Sequence, residues 1–201
     1  MSSSGQDFES IVKLARNFRA RGENKKAIAE FKKALTINPS SIQVLNEMGL
    51  AHIHIGEQSE AIVVFDKAIK IKPDSDEAHS NKVEAFLTIG AFEEALTAAK
   101  AGLKSNPASA ILFERKARAL ESLMRIQEAI DAFNESLKYD SENPETWKAL
   151  ALCLDAQAKW TEVARAYRIA AALHKKRNEL RDAESCEKFA QMAESSAGEM
   201  A

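Results

Sequence analysis

The sequence predicts an all-α solenoid of helix–turn–helix units. Three observations predict it: a 34-residue period, two blocks of helical apolar spacing within each period, and glycine and proline at fixed places between the blocks. Pro39, Pro73 and Pro107 are 34 residues apart, as are Ala27, Ala61, Ala95 and Ala129, and Gly22, Gly56 and Gly90. Phe31 and Phe65 continue the series to Phe133 after skipping Ala99.

The first unit, residues 8–41, carries one apolar stripe in Ile11, Leu14, Ala15 and Phe18. After Gly22 a second stripe follows in Ala27, Ile28, Phe31, Ala34 and Leu35. Spacings of three and four put each stripe on one face of an amphipathic helix. Glycine at the break supplies the left-handed conformation that ends a helix. Asn38-Pro39, Lys72-Pro73 and Asn106-Pro107 stop the second helix, because the residue before proline is pushed out of helical geometry. Ser or Asp beyond each proline caps the next helix.

Units 42–75, 76–109, 110–143 and 144–177 repeat the plan. Unit two reads Leu45, Met48, Gly49, His52, Ala61, Phe65, Ala68 and Pro73. Unit five reads Trp147, Leu150, Ala151, Leu154, Val163, Tyr167 and Ala170. Units four and five depart furthest: Ser141 and Lys175 stand where the others have proline, and Pro144 opens a helix as its first residue. Lys82 and Lys116 occupy usually apolar positions, from which their stems can run along the helix to water.

These five in-phase units resemble the tetratricopeptide repeat (TPR) family over residues 8–177. Residues 1–7 are expected to form a disordered tail. From Asn178 onward Leu180, Ala183, Cys186, Phe189 and Ala190 give one more apolar stripe, read as a capping helix over about 179–195. In a second register Tyr167, Ala170, Ala171, His174, Ala183 and Ala190 form a partial sixth repeat that reuses the preceding helix.

Composition narrows the function classes. Lys and Arg number 28 against 30 Asp and Glu, which removes the general polyanion attraction of nucleic-acid binders. The start, Met1-Ser2-Ser3-Ser4-Gly5-Gln6-Asp7, lacks the cationic and apolar regions of a secretory signal, and no apolar run reaches the roughly 18 residues of a membrane span. A cytoplasmic protein is expected. Two cysteines, Cys153 and Cys186, are too few for a disulfide framework. His52 and His54 are two apart on a helix and face different ways, so they do not make the i,i+4 pair of a zinc helix. Scattered glycines give no phosphate loop, and Trp147 and Trp160 sit at positions of core residues. No enzyme activity, cofactor or metal is expected.

The resemblance implies that first helices line a concave face on which peptides bind. That face would hold Val12, Lys13, Arg16 and Arg19 from unit one, and Asn46, Glu47, Leu50 and Ile53 from unit two. Ser80, Asn81, Glu84, Leu87 and Thr88 follow from unit three. Glu114, Arg115, Arg118 and Glu121 come from unit four, and Lys148, Leu152 and Asp155 from unit five. Asn46 and Asn81 suit the backbone of an extended peptide, since an amide both donates and accepts. Leu50, Ile53 and Leu87 suit an apolar anchor, and Arg115, Arg118 and Lys148 suit a carboxylate. Local pairs such as Glu114 with Arg118 would instead consume those cations.

An acidic, partly apolar peptide or a partner helix is the expected ligand of a protein-binding adaptor. The Lys and Asn pattern with which related chaperone cofactors hold a C-terminal carboxylate is not matched. Its positions fall on Val12, Arg16, Glu47, Glu77 and Asn81 in one register, and on Asn46, Leu50, Asn81, Ile111 and Arg115 in the other. Net charge varies along the chain: +4 over 1–41, -4 over 42–109, -2 over 110–143, +4 over 144–177 and -4 over 178–201. The acidic last segment is therefore expected to lie on unit five or to meet unit one of another molecule. Head-to-tail self-association and service as a regulatory module of an enzyme complex stand as alternative roles.

Overall fold

A short turn that reverses the chain follows almost every dozen residues. The computed structural model describes residues 3–199, and these form eleven α-helices without a strand. They are α1 Ser3–Ala20, α2 Asn24–Ile37, α3 Ile42–His54, α4 Gln58–Ile71, α5 Asp76–Thr88 and α6 Phe92–Ser105. The series continues with α7 Ala110–Ser122, α8 Ile126–Tyr139, α9 Pro144–Asp155, α10 Trp160–Lys176 and α11 Leu180–Glu199. None is long and apolar enough to cross a membrane. Contacts group the chain into two units, Met1–Pro107 with α1 to α6 and Ala108–Ala201 with α7 to α11.

Two kinds of turn alternate, and each satisfies the backbone groups that helix ends leave open. Within a pair, a residue with positive φ ends the first helix, and the next N–H reaches back across the turn. Glu23 N donates to Phe18 O and Glu57 N to His52 O, both at 2.9 Å, beyond Gly22 (φ +75°) and Gly56 (φ +80°). Between pairs, Asn38 and Lys72 N–H donate to Ala34 and Ala68 O at 2.9 Å. Ser41, Ser75 and Ser109 then cap the following helix by accepting from the N–H of Val44, Ala78 and Leu112.

Met124 (φ +59°), Ala158 (φ +54°) and Asn178 (φ +60°) fill the glycine role in the later turns. Asn tolerates this conformation, whereas it costs Ala or Met about 1–2 kcal/mol. Ala158→Gly is expected to raise stability by about 0.5–1 kcal/mol after the entropy glycine adds to the unfolded chain. Asn178→Gly should change much less. Urea unfolding of the two variants checks this, and equal effects would contradict the backbone explanation.

In unit Met1–Pro107 each helix packs on its neighbours in sequence, and α3 also meets α5. The core between the helices is built from small and aromatic residues. Ala15, Ala27, Phe31, Ala34, Phe65 and Ala68 are completely buried. Lys82 does reach outward from its apolar position: its Nζ lies 2.6 Å from Asp66 Oδ1 and 5.8 Å from the Phe86 ring centre. Lys116 stacks its ammonium over Phe113 at 5.9 Å.

One expectation changes at the N-terminal end. Residues 3–7, expected as a disordered tail, belong to α1, which propagates toward the terminus once its apolar face is anchored. Met1 and Ser2 lie outside the described residues. At the other end α11 follows a turn of the within-pair kind, since Glu179 N donates to His174 O at 2.9 Å beyond the left-handed Asn178. Tyr167, Ala170, Ala171, His174, Ala183 and Ala190 are all buried. α10 therefore packs on both α9 and α11.

Candidate functional site

On the first helices of unit Met1–Pro107, the expected binding residues sit at three depths. Arg16 and Arg19 are partly exposed on α1, Leu50 and Ile53 of α3 are half-buried, and Asn81 and Leu87 of α5 are likewise intermediate. Leu50 and Ile53 pack against the buried Ala61, Phe65 and Ala85, so only part of each is available to a ligand. Asn46 lies deepest, at 1% exposure.

Asn46 is also the residue whose chemistry is least satisfied. Neither its Nδ2 nor its Oδ1 has a hydrogen-bond partner, and the buried Nδ2 of Asn81 has none either. Each unpaired buried polar group costs about 1–3 kcal/mol, so these amides are destabilising as they stand. Helical periodicity puts both residues on the face expected to bind. It carries no information on depth.

Arg16 is engaged in a way the sequence reading missed. Its Nε donates to Glu47 Oε1 at 2.9 Å and Oε2 at 3.0 Å, and its Nη2 donates to Oε1 at 2.6 Å. Arg19 Nη1 stands 3.6 Å from Glu47 Oε2. The hydrogen bond to Glu47 raises the Arg16 pKa further, against the opposing effect of burial. The signal was present in the sequence, where Glu47 shares the face of Arg16, but only the fold shows that the two meet across α1 and α3.

On unit Ala108–Ala201 the expected cations are engaged by local carboxylates. Arg118 Nε lies 2.5 Å from Glu114 Oε1, and Arg115 Nη1 lies 3.6 Å from Glu114 Oε2. Lys148 Nζ donates to Glu145 Oε2 at 3.0 Å. Burial works against the Lys148 ammonium, but this hydrogen bond and nearby negative charge hold its pKa above the ordinary value. The three therefore do not form a vacant carboxylate acceptor. Leu152 remains 56% exposed.

The acidic last segment lies on α10. Arg168 Nε lies 2.7 Å from Glu194 Oε1, Lys175 pairs with Glu187, and His174 Nδ1 lies 2.6 Å from Glu179 Oε2. A groove of about 690 Å³ runs between α10 and α11, lined by Ala164, Ile169, Ala172 and Ala197 beside the Arg168–Glu194 pair.

The remaining chemistry-bearing residues take packing roles. His52 and His79 are both 6% exposed, with His52 Nδ1 2.7 Å from Glu57 Oε2 and His79 Nε2 2.9 Å from Pro73 O. Trp147 is only half-buried, because its Nε1 donates to Ser141 O at 2.9 Å. Cys153 and Cys186 are free and buried. Burial, with the charge of Glu121, pushes the Cys153 thiol up to about 12, so it carries almost no thiolate at neutral pH.

Three sequence profiles match the chain: one described as TPR repeat over residues 15–56, and two described as tetratricopeptide repeat over 42–75 and 80–144. Together they span more than half of it. No curated protein matches the sequence. Solved structures do match the fold. A thermophilic TPR protein of Thermus thermophilus aligns with a TM-score of 0.71 at 20% identity, over 89% of this chain and 98% of its own. MamA from residue 41 onward, of Desulfovibrio magneticus RS-1, aligns at 0.63 and 21% over 90% and 97%. PilF of Pseudomonas aeruginosa aligns at 0.68 and 17% over 92% and 90%. Identities this low carry the architecture and nothing about partners. With its period, its two alternating turns and its profile matches, the chain belongs to the tetratricopeptide-repeat family of protein-interaction scaffolds.

Proposed function

We propose that the protein is an adaptor that binds an extended, partly apolar peptide on the α1, α3 and α5 face of unit Met1–Pro107. The observation that carries this reading is Asn46, almost wholly buried with both amide atoms unpartnered, with the unpartnered Nδ2 of Asn81 on the next first helix. A strand of peptide backbone offers the donor and acceptor these amides lack. Leu50, Ile53 and Leu87 supply apolar anchoring beside them. Arg16 and Arg19 favour an acidic residue in the ligand. Unit Ala108–Ala201 is a weaker candidate, since among its described residues no pair of unpartnered asparagine amides stands beside its cations.

Selection of a display library of random dodecapeptides on the full chain tests this reading. Enriched peptides are expected to combine apolar and acidic residues and to lose roughly tenfold or more in affinity on Asn81→Ala, as expected for central polar contacts. Thr97→Ala, on the second helix α6, serves as control. Peptides that bind the Asn81→Ala variant as well as wild type would place the site elsewhere.

A further inference from the structure

We infer that Glu47 is an internal competitor for the acidic group of the bound peptide, holding Arg16 in the geometry a ligand carboxylate needs. The inference rests on the proposed binding face and adds a determinant of its charge selectivity.

An arginine fork recognises a carboxylate through two parallel N–H donors, and Arg16 already commits Nε and Nη2 to the two oxygens of Glu47 at 2.6–3.0 Å. A peptide carboxylate that seeks the same fork meets a site with an occupant. Yet the occupant is shared. Arg19 Nη1 stands 3.6 Å from the same carboxylate, so two guanidiniums share the one charge of Glu47, with Glu9 acting on Arg16 from its own helix.

Exposure separates the partners further. The Glu47 side chain is 11% exposed, while those of Arg16 and Arg19 are 40% and 34% exposed. The anion is therefore the sheltered member, and the cations reach the surface from which a ligand arrives. Glu114 is also a sheltered carboxylate between two arginines, but Arg115 and Arg118 lie on its own helix, whereas Arg16 and Arg19 reach Glu47 from a different one.

The ligand chemistry that follows is a single Asp or Glu side chain of the peptide, placed opposite Arg16 and Arg19. It takes the Arg16 fork in exchange for Glu47, or shares both guanidiniums with it. Either way Glu47 lowers affinity for acidic ligands and leaves neutral ones nearly untouched. The protein thereby keeps moderate affinity for an acidic segment and stays compensated when empty.

Replacing the carboxylate by its neutral isostere gives the test. Gln retains an oxygen for Arg16, so Glu47→Gln should melt near the wild-type temperature, which circular dichroism checks first. Fluorescence anisotropy then follows the most enriched acidic dodecapeptide and its Asp/Glu→Asn/Gln counterpart, each with an amidated C-terminus. The amide restricts the source of carboxylate to side chains.

Binding of the acidic peptide is expected to tighten roughly threefold or more in Glu47→Gln, with a steeper salt dependence and no gain for the neutral peptide. The double variant Arg16→Gln/Arg19→Gln should bring the acidic peptide down to the neutral one. A folded Glu47→Gln that binds the acidic peptide no better than wild type overturns the inference. So does binding of the free-acid peptide alone, which would put the C-terminal carboxylate in the site. If affinity still depends on Asn81 in that case, the proposed binding face stands and only the role of Glu47 falls. Failure to enrich any peptide would remove both.

Discussion

Phe65→Ala is expected to destabilise the unit of α1 to α6 by about 3–5 kcal/mol, the range for emptying an aromatic from a packed core. Phe65 is wholly buried, and it lies so close to Gly49 that a Cβ there would come within 2.4 Å of its ring. Gly49→Val alone should therefore cost at least about 1–3 kcal/mol through overpacking. The two changes together should cost clearly less than their sum, because the valine moves into the volume the ring leaves.

The next repeat already carries that exchange. Val83 and Ala99 occupy the corresponding positions, and both are completely buried. In the first repeat the pair is Ala15 with Phe31, also fully buried. The larger residue of the pair thus stands on the second helix in the first two repeats and on the first helix in the third. Urea unfolding of the two single variants and the double variant measures the coupling. Strict additivity would show that the two sites do not share a cavity.

Asn46→Leu should do the opposite of a normal core substitution and stabilise the protein by about 1–3 kcal/mol, since it removes two buried polar atoms without partners at nearly constant volume. The same change should weaken the selected peptides by roughly tenfold or more, as loss of a central contact does. Gain in stability with loss of binding is the signature of a group retained for recognition. A destabilised Asn46→Leu would mean that the amide has partners in solution and that its burial carries no functional argument.

Much of the architecture was legible because a repeat reports the same physics five times. The period of 34, the alternating stripes and the positions of Gly22, Gly56 and Gly90 each agree with the helix pairs and turns observed. Where glycine gave way to Met124 and Ala158, the turn persisted and the local signal vanished, because packing on both sides now holds the backbone. The shared role of α10 was open for the same reason: periodicity places an apolar stripe but does not say which turn precedes it.

The site was legible only as a face. Spacing put Arg16, Asn46, Leu50 and Asn81 on first helices. Arg115 and Arg118 were placed by the same rule, yet Glu114 of their own helix engages them as Glu47 of another helix engages Arg16, and which carboxylate does so depends on side-chain geometry within and between helices. Depth and pairing belong to tertiary structure. Glu47 shows this most clearly, as one acidic residue among many in the sequence that two arginines from a different helix converge upon.

The central claim is that a peptide is held by the amides of Asn46 and Asn81, and nitrogen-edited NMR of their side-chain NH2 groups is the most direct test. Addition of an enriched dodecapeptide to the full chain should shift both pairs of side-chain resonances and slow their exchange with water, with backbone shifts concentrated in α1, α3 and α5. Unmoved asparagine side chains, with shifts gathered instead on the second helices or on α7 to α11, would contradict it.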